Sequence, residues 1–140
     1  MKLIFNTIPL AVQSCRFTRT GIKYQPKENL SYKAQLRFLA EQQIGADFRL
    51  LENPLKVQVE FIFPELKSFS KSLKKRISEG AIVYKDTKPD LHDNLCKATF
   101  DALTGIVWKD DSQVAELSSR KYYGIKPQII IEVNEIGDSK

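Results

Sequence analysis

Hydrophobic and polar residues alternate most cleanly between positions 55 and 63. Leu55, Val57, Val59, Phe61 and Phe63 fall on one side, and Lys56, Gln58 and Glu60 on the other. A period of two predicts a strand with one buried face. At the amino end, residues 2–12 are apolar and rich in β-formers, and Leu3, Phe5 and Ile8 suit a first strand ending near Pro9. From Pro26 to Gly45 the period lengthens, and Tyr32, Leu36, Phe38, Leu39 and Ile44 form a helical apolar face between a starting proline and a stopping glycine. Leu91, Leu95, Ala98, Ala102 and Leu103 predict a second helix that begins after Pro89 and stops at Gly105. Ile106–Trp108 reads as a return to the sheet. Val114–Tyr123 and Gln128–Val133 read as a closing strand pair around Gly124-Ile125-Lys126-Pro127, with the tail from Asn134, about 135–140, frayed. The order strand, helix, strand, basic segment, helix, strand, strand predicts an α+β fold in which helices pack on a small mixed sheet. No repeat or linker divides residues 1–140, so a single domain is expected.

The polar positions of the second helix carry candidate chemistry. Asp90, Asp93, Lys97 and Asp101 follow one another at three, four and four residues, the spacing that stacks side chains on one helix face. Asp90 suits the N-cap, accepting from the backbone N–H of residue 92 or 93. Asp110 and Asp111 follow, and on an extended segment only one of the two can join the others. Several acids around one lysine suit a metal-dependent phosphodiester site, because Mg²⁺ takes one or two carboxylates and completes its shell with water and phosphate oxygens. A capped amphipathic surface helix with a Lys–Asp pair accounts for the same spacing without a metal.

The whole ordered pattern says more than its parts. Pro89-Asp90, Asp93-Asn94, Lys97, Asp101-Ala102-Leu103 and Asp110-Asp111-Ser112-Gln113-Val114 together resemble the RusA family of Holliday-junction resolvases, and the stretch from Arg16 to Tyr32 is similar to a basic segment of many relatives. The resemblance implies a Mg²⁺-dependent endodeoxyribonuclease of phage or prophage type, with Mn²⁺ able to substitute, acting on four-way DNA junctions. The paired symmetric nicks such a junction requires call for a homodimer, and the apolar strands at Leu3 to Ile8 and Gln128 to Val133 suit either its contact or the chain's own core. The resemblance also implies Asp90, Asp93 and Asp111 as metal ligands, Asp110 as the second choice or an outer partner, and Lys97 as the residue that positions water or steadies phosphate charge. The family spaces its first aspartates as D-x-D-N, whereas this chain reads Asp90-Leu91-His92-Asp93-Asn94, one residue longer. A helix starting at Asp90 absorbs the added residue; otherwise His92 stands as a replacement ligand, with imidazole the poorer match to a hard cation.

Charge adds a partner class. The chain has a net charge of +5, which favours a polyanion. Arg16, Arg19 and Lys23 with Phe17 and Tyr24 suit either a DNA-contacting hairpin or an ordinary one. Residues 65–88 carry Lys67, Lys71, Lys74, Lys75 and Arg76 and few apolar residues, so they predict a mobile DNA arm or, equally, a solvated charge run. Cys15 and Cys96 lack metal-ligand spacing and read as reduced thiols. Residues 1–15 outline a short lipoprotein signal, but Asn6 and Pro9 break its apolar run and Gln13-Ser14 is a poor cleavage site, so a cytoplasmic protein is expected. No run approaches the roughly 20 apolar residues of a membrane span, and no nucleotide-binding glycine loop is present. Two other functions fit the same residues: a less selective nuclease for flaps or forks, and a DNA-binding protein that does not cut because the added residue breaks its site.

Overall fold

The computed structural model describes residues 1–10, 16–24 and 27–137. Cys15, with the signal reading attached to it, and Gln25, Pro26 and residues 138–140 lie outside the described residues, as do the side chains of Arg16, Phe17, Lys23 and Tyr24.

The long alternating stretch forms the centre of the sheet. β4, Leu55–Pro64, buries Leu55, Val57, Val59, Phe61 and Phe63. Each such side chain contributes about 1.5–3 kcal/mol when fully removed from water. On one side β4 pairs in parallel with β6, Val114–Gly124; on the other it pairs antiparallel with β7, Gln128–Glu135. β1, Lys2–Phe5, adds to the outside of β7, and the short β5, Val83–Tyr84, adds to the outside of β6. The order is therefore β1-β7-β4-β6-β5, a five-stranded mixed sheet. Helix α1, Lys27–Gln43, packs on β1 and on α3, Lys97–Leu103, burying Tyr32, Leu36 and Ala40. The opposite sheet face carries the Glu60–Arg120 ion pair together with Lys2, Gln58, Ser118 and Glu132 around an open cleft of about 340 Å³. The fold is thus α+β with helices on one side of a mixed sheet, as the pattern predicts.

Several details differ from the sequence reading. β6 and β7 do not pair with each other, because β4 lies between them. Three residues, 125–127, carry the chain over the end of β4, which suffices because two strand spacings are only about 9.6 Å. The first strand stops at Phe5, where the Thr7 amide turns back to the Phe5 carbonyl, and Ile8 is 56% exposed. Phe38 points away from the core of α1, which uses Ala40 instead. Ile106–Trp108 is buried but forms a turn, with Trp108 bridging only Leu51 and Thr104. The closing strand runs on through Asn134 and Glu135, paired with Lys56 and Leu55, so the chain is not frayed there. The basic segment contains a helix, α2, Lys71–Ser78, capped by the Ser70 hydroxyl accepting from the Leu73 amide. It has more to bury than its composition suggests, since Ile77 is buried, Leu73 joins the core, and Phe69 meets Tyr123 edge-on at 4.9 Å. Among the described residues no helix is long and apolar enough to cross a membrane.

Candidate active site

The acidic helix begins differently from the expected N-cap. Asp90 stands at the cap position with extended backbone, but its side chain makes no cap hydrogen bond. Instead the Leu95 amide donates to the Asp90 carbonyl at 3.2 Å, five residues back, and Leu91–Cys96 forms a π-helical turn before α3 continues as ordinary α-helix. A π turn takes one more residue per hydrogen-bonded ring than an α turn, and it absorbs a single added residue while leaving the register of α3 unchanged. Leu95 and Cys96 remain buried, and Ala98, Ala102 and Leu103 continue the same buried face. Gly105, at φ 86°, ends the helix as expected.

The wide turn breaks the predicted polar stripe at its first step. Asp90 shares a cavity of about 400 Å³ with Asn94, Lys88 and Pro89, rather than a face with Asp93. Asp93 turns outward, and its carboxylate lies 3.5 Å from the His92 ring. Those two side chains are 73% and 80% exposed, so His92 does not replace an aspartate inside the cavity. Lys97 and Asp101, four apart on regular helix, keep a common face of α3.

The second acidic pair is a capped turn rather than an extended segment. Asp110 precedes the 3₁₀ turn Asp111–Gln113 and accepts from the Ser112 amide at 3.0 Å, while the Gln113 side chain accepts from the Asp110 amide at 2.7 Å. Gln113 also donates to the carbonyls of Leu51 and Asn53, tying the turn to the segment between α1 and β4. The backbone hydrogen bond from Ser112 holds the Asp110 carboxyl below its ordinary range. Asp111 is pushed up, first by partial desolvation and then by its hydrogen bond and repulsion with Asp110 and by the charge of Asp101. Asp101, Asp110 and Asp111 therefore form one electrostatic group, and Asp90 with Asn94 a separate one.

Asp90, Asp93 and Asp111 each offer carboxylate oxygens, which suit a hard cation in kind. Among the described residues, however, no three Asp, Glu, His or Cys side chains converge closely enough to hold a metal ion unaided. A cation such as Mg²⁺ is compatible with one or two of these carboxylates if water and substrate phosphate supply the rest.

Basic groups accompany the acidic ones. Lys71, Lys75 and Arg76 are exposed and Lys74 half-buried on α2, and Arg19 is exposed at the tip of the β2–β3 hairpin, Arg16–Phe17 and Lys23–Tyr24. Sequence reasoning missed Lys121, whose ammonium donates to the carbonyls of Thr87 and Pro89, and Arg37, whose guanidinium donates to the carbonyls of Ala102 and Thr104 at the end of α3. No local signal marked the first, because the phase of β6 that faces inward is set by its pairing with β4. Cys96 is a free buried thiol whose pKa burial pushes up, as befits an unreactive core residue.

Comparison with known proteins adds family context. Over 88 residues, 62% of this chain, the sequence is 35% identical to the uncharacterized protein YqaN of Bacillus subtilis (strain 168), and the match spans 61% of that relative's length. The sequence pattern of the family described as endodeoxyribonuclease RusA matches residues 8–134, which takes in α1, the sheet apart from β1 and the last residue of β7, the π turn and both acidic groups. The chain accordingly belongs to the RusA endodeoxyribonuclease family.

Proposed function

We propose that this protein is a metal-dependent endodeoxyribonuclease that resolves four-way DNA junctions by paired, symmetric nicks. The observation that carries the reading is the family match across both acidic groups. Asp90, Asp93 and Asp111 are the ligands the family resemblance implies, and one or two of them would hold Mg²⁺ or Mn²⁺ together with water and phosphate oxygens. The ion would supply polarisation of the phosphoryl group and a bound water of lowered pKa. Lys97 would position the attacking water or offset charge developing on the phosphate. Asp110 acts from behind Asp111, holding the turn that presents it. Arg16, Arg19, Lys71, Lys74, Lys75 and Arg76 neutralise backbone phosphates. Two nicks on a two-fold symmetric junction call for two sites, which a closed C₂ dimer provides. Of the apolar strands at Leu3 to Ile8 and Gln128 to Val133, the second is interior to the sheet with Ile129, Ile131 and Val133 buried, whereas β1 is an edge strand with Ile4 and, beyond its end, Ile8 exposed for such a contact.

One observation favours a second reading, a junction-binding protein that does not cut: the π turn separates Asp93 from the cavity that Asp90 lines. Cleavage of a synthetic four-way junction, compared with a flap and a linear duplex of the same sequence, distinguishes the possibilities. Mg²⁺-dependent paired nicks in the junction are expected, abolished by EDTA. Asp93→Asn and Asp111→Asn are expected to stop cutting while junction binding persists or tightens, since less negative charge then faces the phosphates. Full activity of either variant would refute the assigned roles, and equal cutting of flap and junction would favour the less selective nuclease.

A further inference from the structure

The segment that delivers Asp90 has no ladder of its own. β5 ends at Tyr84, the Lys85 amide donates to the Lys121 carbonyl at 3.1 Å, and residues 86–90 then run outside any helix or strand. Lys121 comes from β6, on the inward side of the sheet in register with Phe61, and it is half-buried. Its ammonium donates to the Thr87 carbonyl at 2.6 Å and to the Pro89 carbonyl at 2.7 Å. Lys85 holds the same loop from another side, donating to the Thr87 hydroxyl at 2.9 Å while lying 5.2 Å from the ring centroids of Phe63 and Tyr123. The Pro89 carbonyl belongs to the planar peptide unit that ends at the Asp90 Cα, so fixing that oxygen limits the directions in which the Asp90 side chain can leave the backbone.

We propose that Lys121 is a positioning residue: by holding the Thr87 and Pro89 carbonyls it keeps Asp90 directed at the cavity it shares with Asn94. The proposal deepens the nuclease reading and rests on it for its effect on cutting. An ammonium suits the task, since it carries three donors on a flexible stem, and charge-assisted bonds of this length are among the stronger ones. Losing it removes the anchor of an irregular, largely exposed loop, whose two carbonyls then turn to water and no longer hold one geometry. The loop then relaxes at the residue that ligates, while the core around Phe61 and Tyr123 keeps its packing.

The test uses Lys121→Met, which preserves most of the apolar stem and removes the donors, and Lys121→Arg, which restores donors and charge. Mn²⁺ affinity of the DNA-free protein, titrated by electron paramagnetic resonance, is expected to fall about 10- to 100-fold in Lys121→Met, the usual effect of removing an outer partner of a metal ligand. The single-turnover cutting rate is expected to fall with it while junction affinity in EDTA stays unchanged, and Lys121→Arg is expected to recover most of both losses. Unchanged Mn²⁺ affinity in Lys121→Met overturns the proposal. Loss of junction affinity in step with the rate overturns it too, because Lys121 would then be a DNA contact. If Lys121→Met fails to melt cooperatively, Lys121→Gln takes its place with the same outcomes. A wild-type protein that binds Mn²⁺ but cuts no DNA strikes the nuclease reading alone, and the Mn²⁺ titration still decides the role of Lys121. A wild-type protein that binds no Mn²⁺ overturns both.

Discussion

Asp110 and Asp111 are sequence neighbours with opposite electrostatic standing. Asp110, stabilised as an anion by the Ser112 amide, favours the fold above the carboxylate range and loses that contribution as pH falls through its lowered pKa. Asp111, raised by desolvation and by Asp110 and Asp101, favours the fold only while protonated, and its ionisation works against the fold as pH rises through its raised pKa. Asp111→Asn is therefore expected to raise the melting temperature at neutral pH, with an advantage that shrinks as pH falls through about 4, where Asp111 is protonated in both states. Scanning calorimetry at pH 7 and at acid pH checks this; a destabilised variant at neutral pH would mean that the Asp111 carboxylate gains more from the Ser112 amide than it loses to desolvation and repulsion. Such a gain alongside lost cutting is the pattern of a group placed for function rather than stability. The acidic residues themselves were legible in the sequence, because their identity and order survive without a structure. That Asp110 caps a turn was not read, although Asp110-x-x-Gln113 carries the spacing of a capping box. Lys121 was harder, since its importance depends on which phase of β6 faces inward, and nothing local sets that phase.

At the scale of elements, apolar periodicity fixed where helices and strands lie better than what they pair with. The β4 alternation and the buried face of α3 emerge as read, because each depends only on residues nearby in the chain. Partner choice does not, and a period of two in β6 and β7 is equally compatible with a hairpin and with two strands flanking a third. The flanking arrangement leaves its mark at Gly124, where a Cβ would sit 2.6 Å from the Ile62 side chain. Gly124→Ala is expected to cost roughly 1–3 kcal/mol in chemical denaturation, as overpacking does. Adding Ile62→Ala is expected to return part of that loss, so the two changes should be non-additive; simple additivity would show that the crowding relaxes elsewhere. The π turn was likewise beyond periodicity, which assumes one helical pitch throughout. Deleting His92 is expected to convert the turn to α-helix with the buried face kept, because Leu95 and Cys96 already sit in register with α3. A cooperative melt with cutting at or above the wild-type rate would support that, whereas an unfolded product would show that the turn is required by the fold.

For the molecule as a whole, the helical layer lies to one side of the sheet, and the Glu60–Arg120 face lies on the other. Replacing Lys71, Lys74, Lys75 and Arg76 together by alanine should leave α2 anchored through Leu73 and Ile77, which keep their packing. Junction binding is expected to weaken, and the slope of log affinity against log salt to flatten by roughly 1–4, according to how many of the four touch phosphate. An unchanged slope would return α2 to the role of a solvated face. The strand order also bears on biosynthesis. β7 is made after the four other strands of its sheet, yet it lies between β1 and β4, and the Met1 nitrogen donates to the Val133 carbonyl. While a ribosome has released only the chain through β6, β1 has no neighbour and one whole margin of β4 is bare, a template for pairing with other nascent chains. Completion of the sheet must wait for the final strand and for contacts spanning most of the chain, which are slow to form. Slower synthesis or a cooler culture should accordingly do more for the yield of soluble protein than changes to the mature surface.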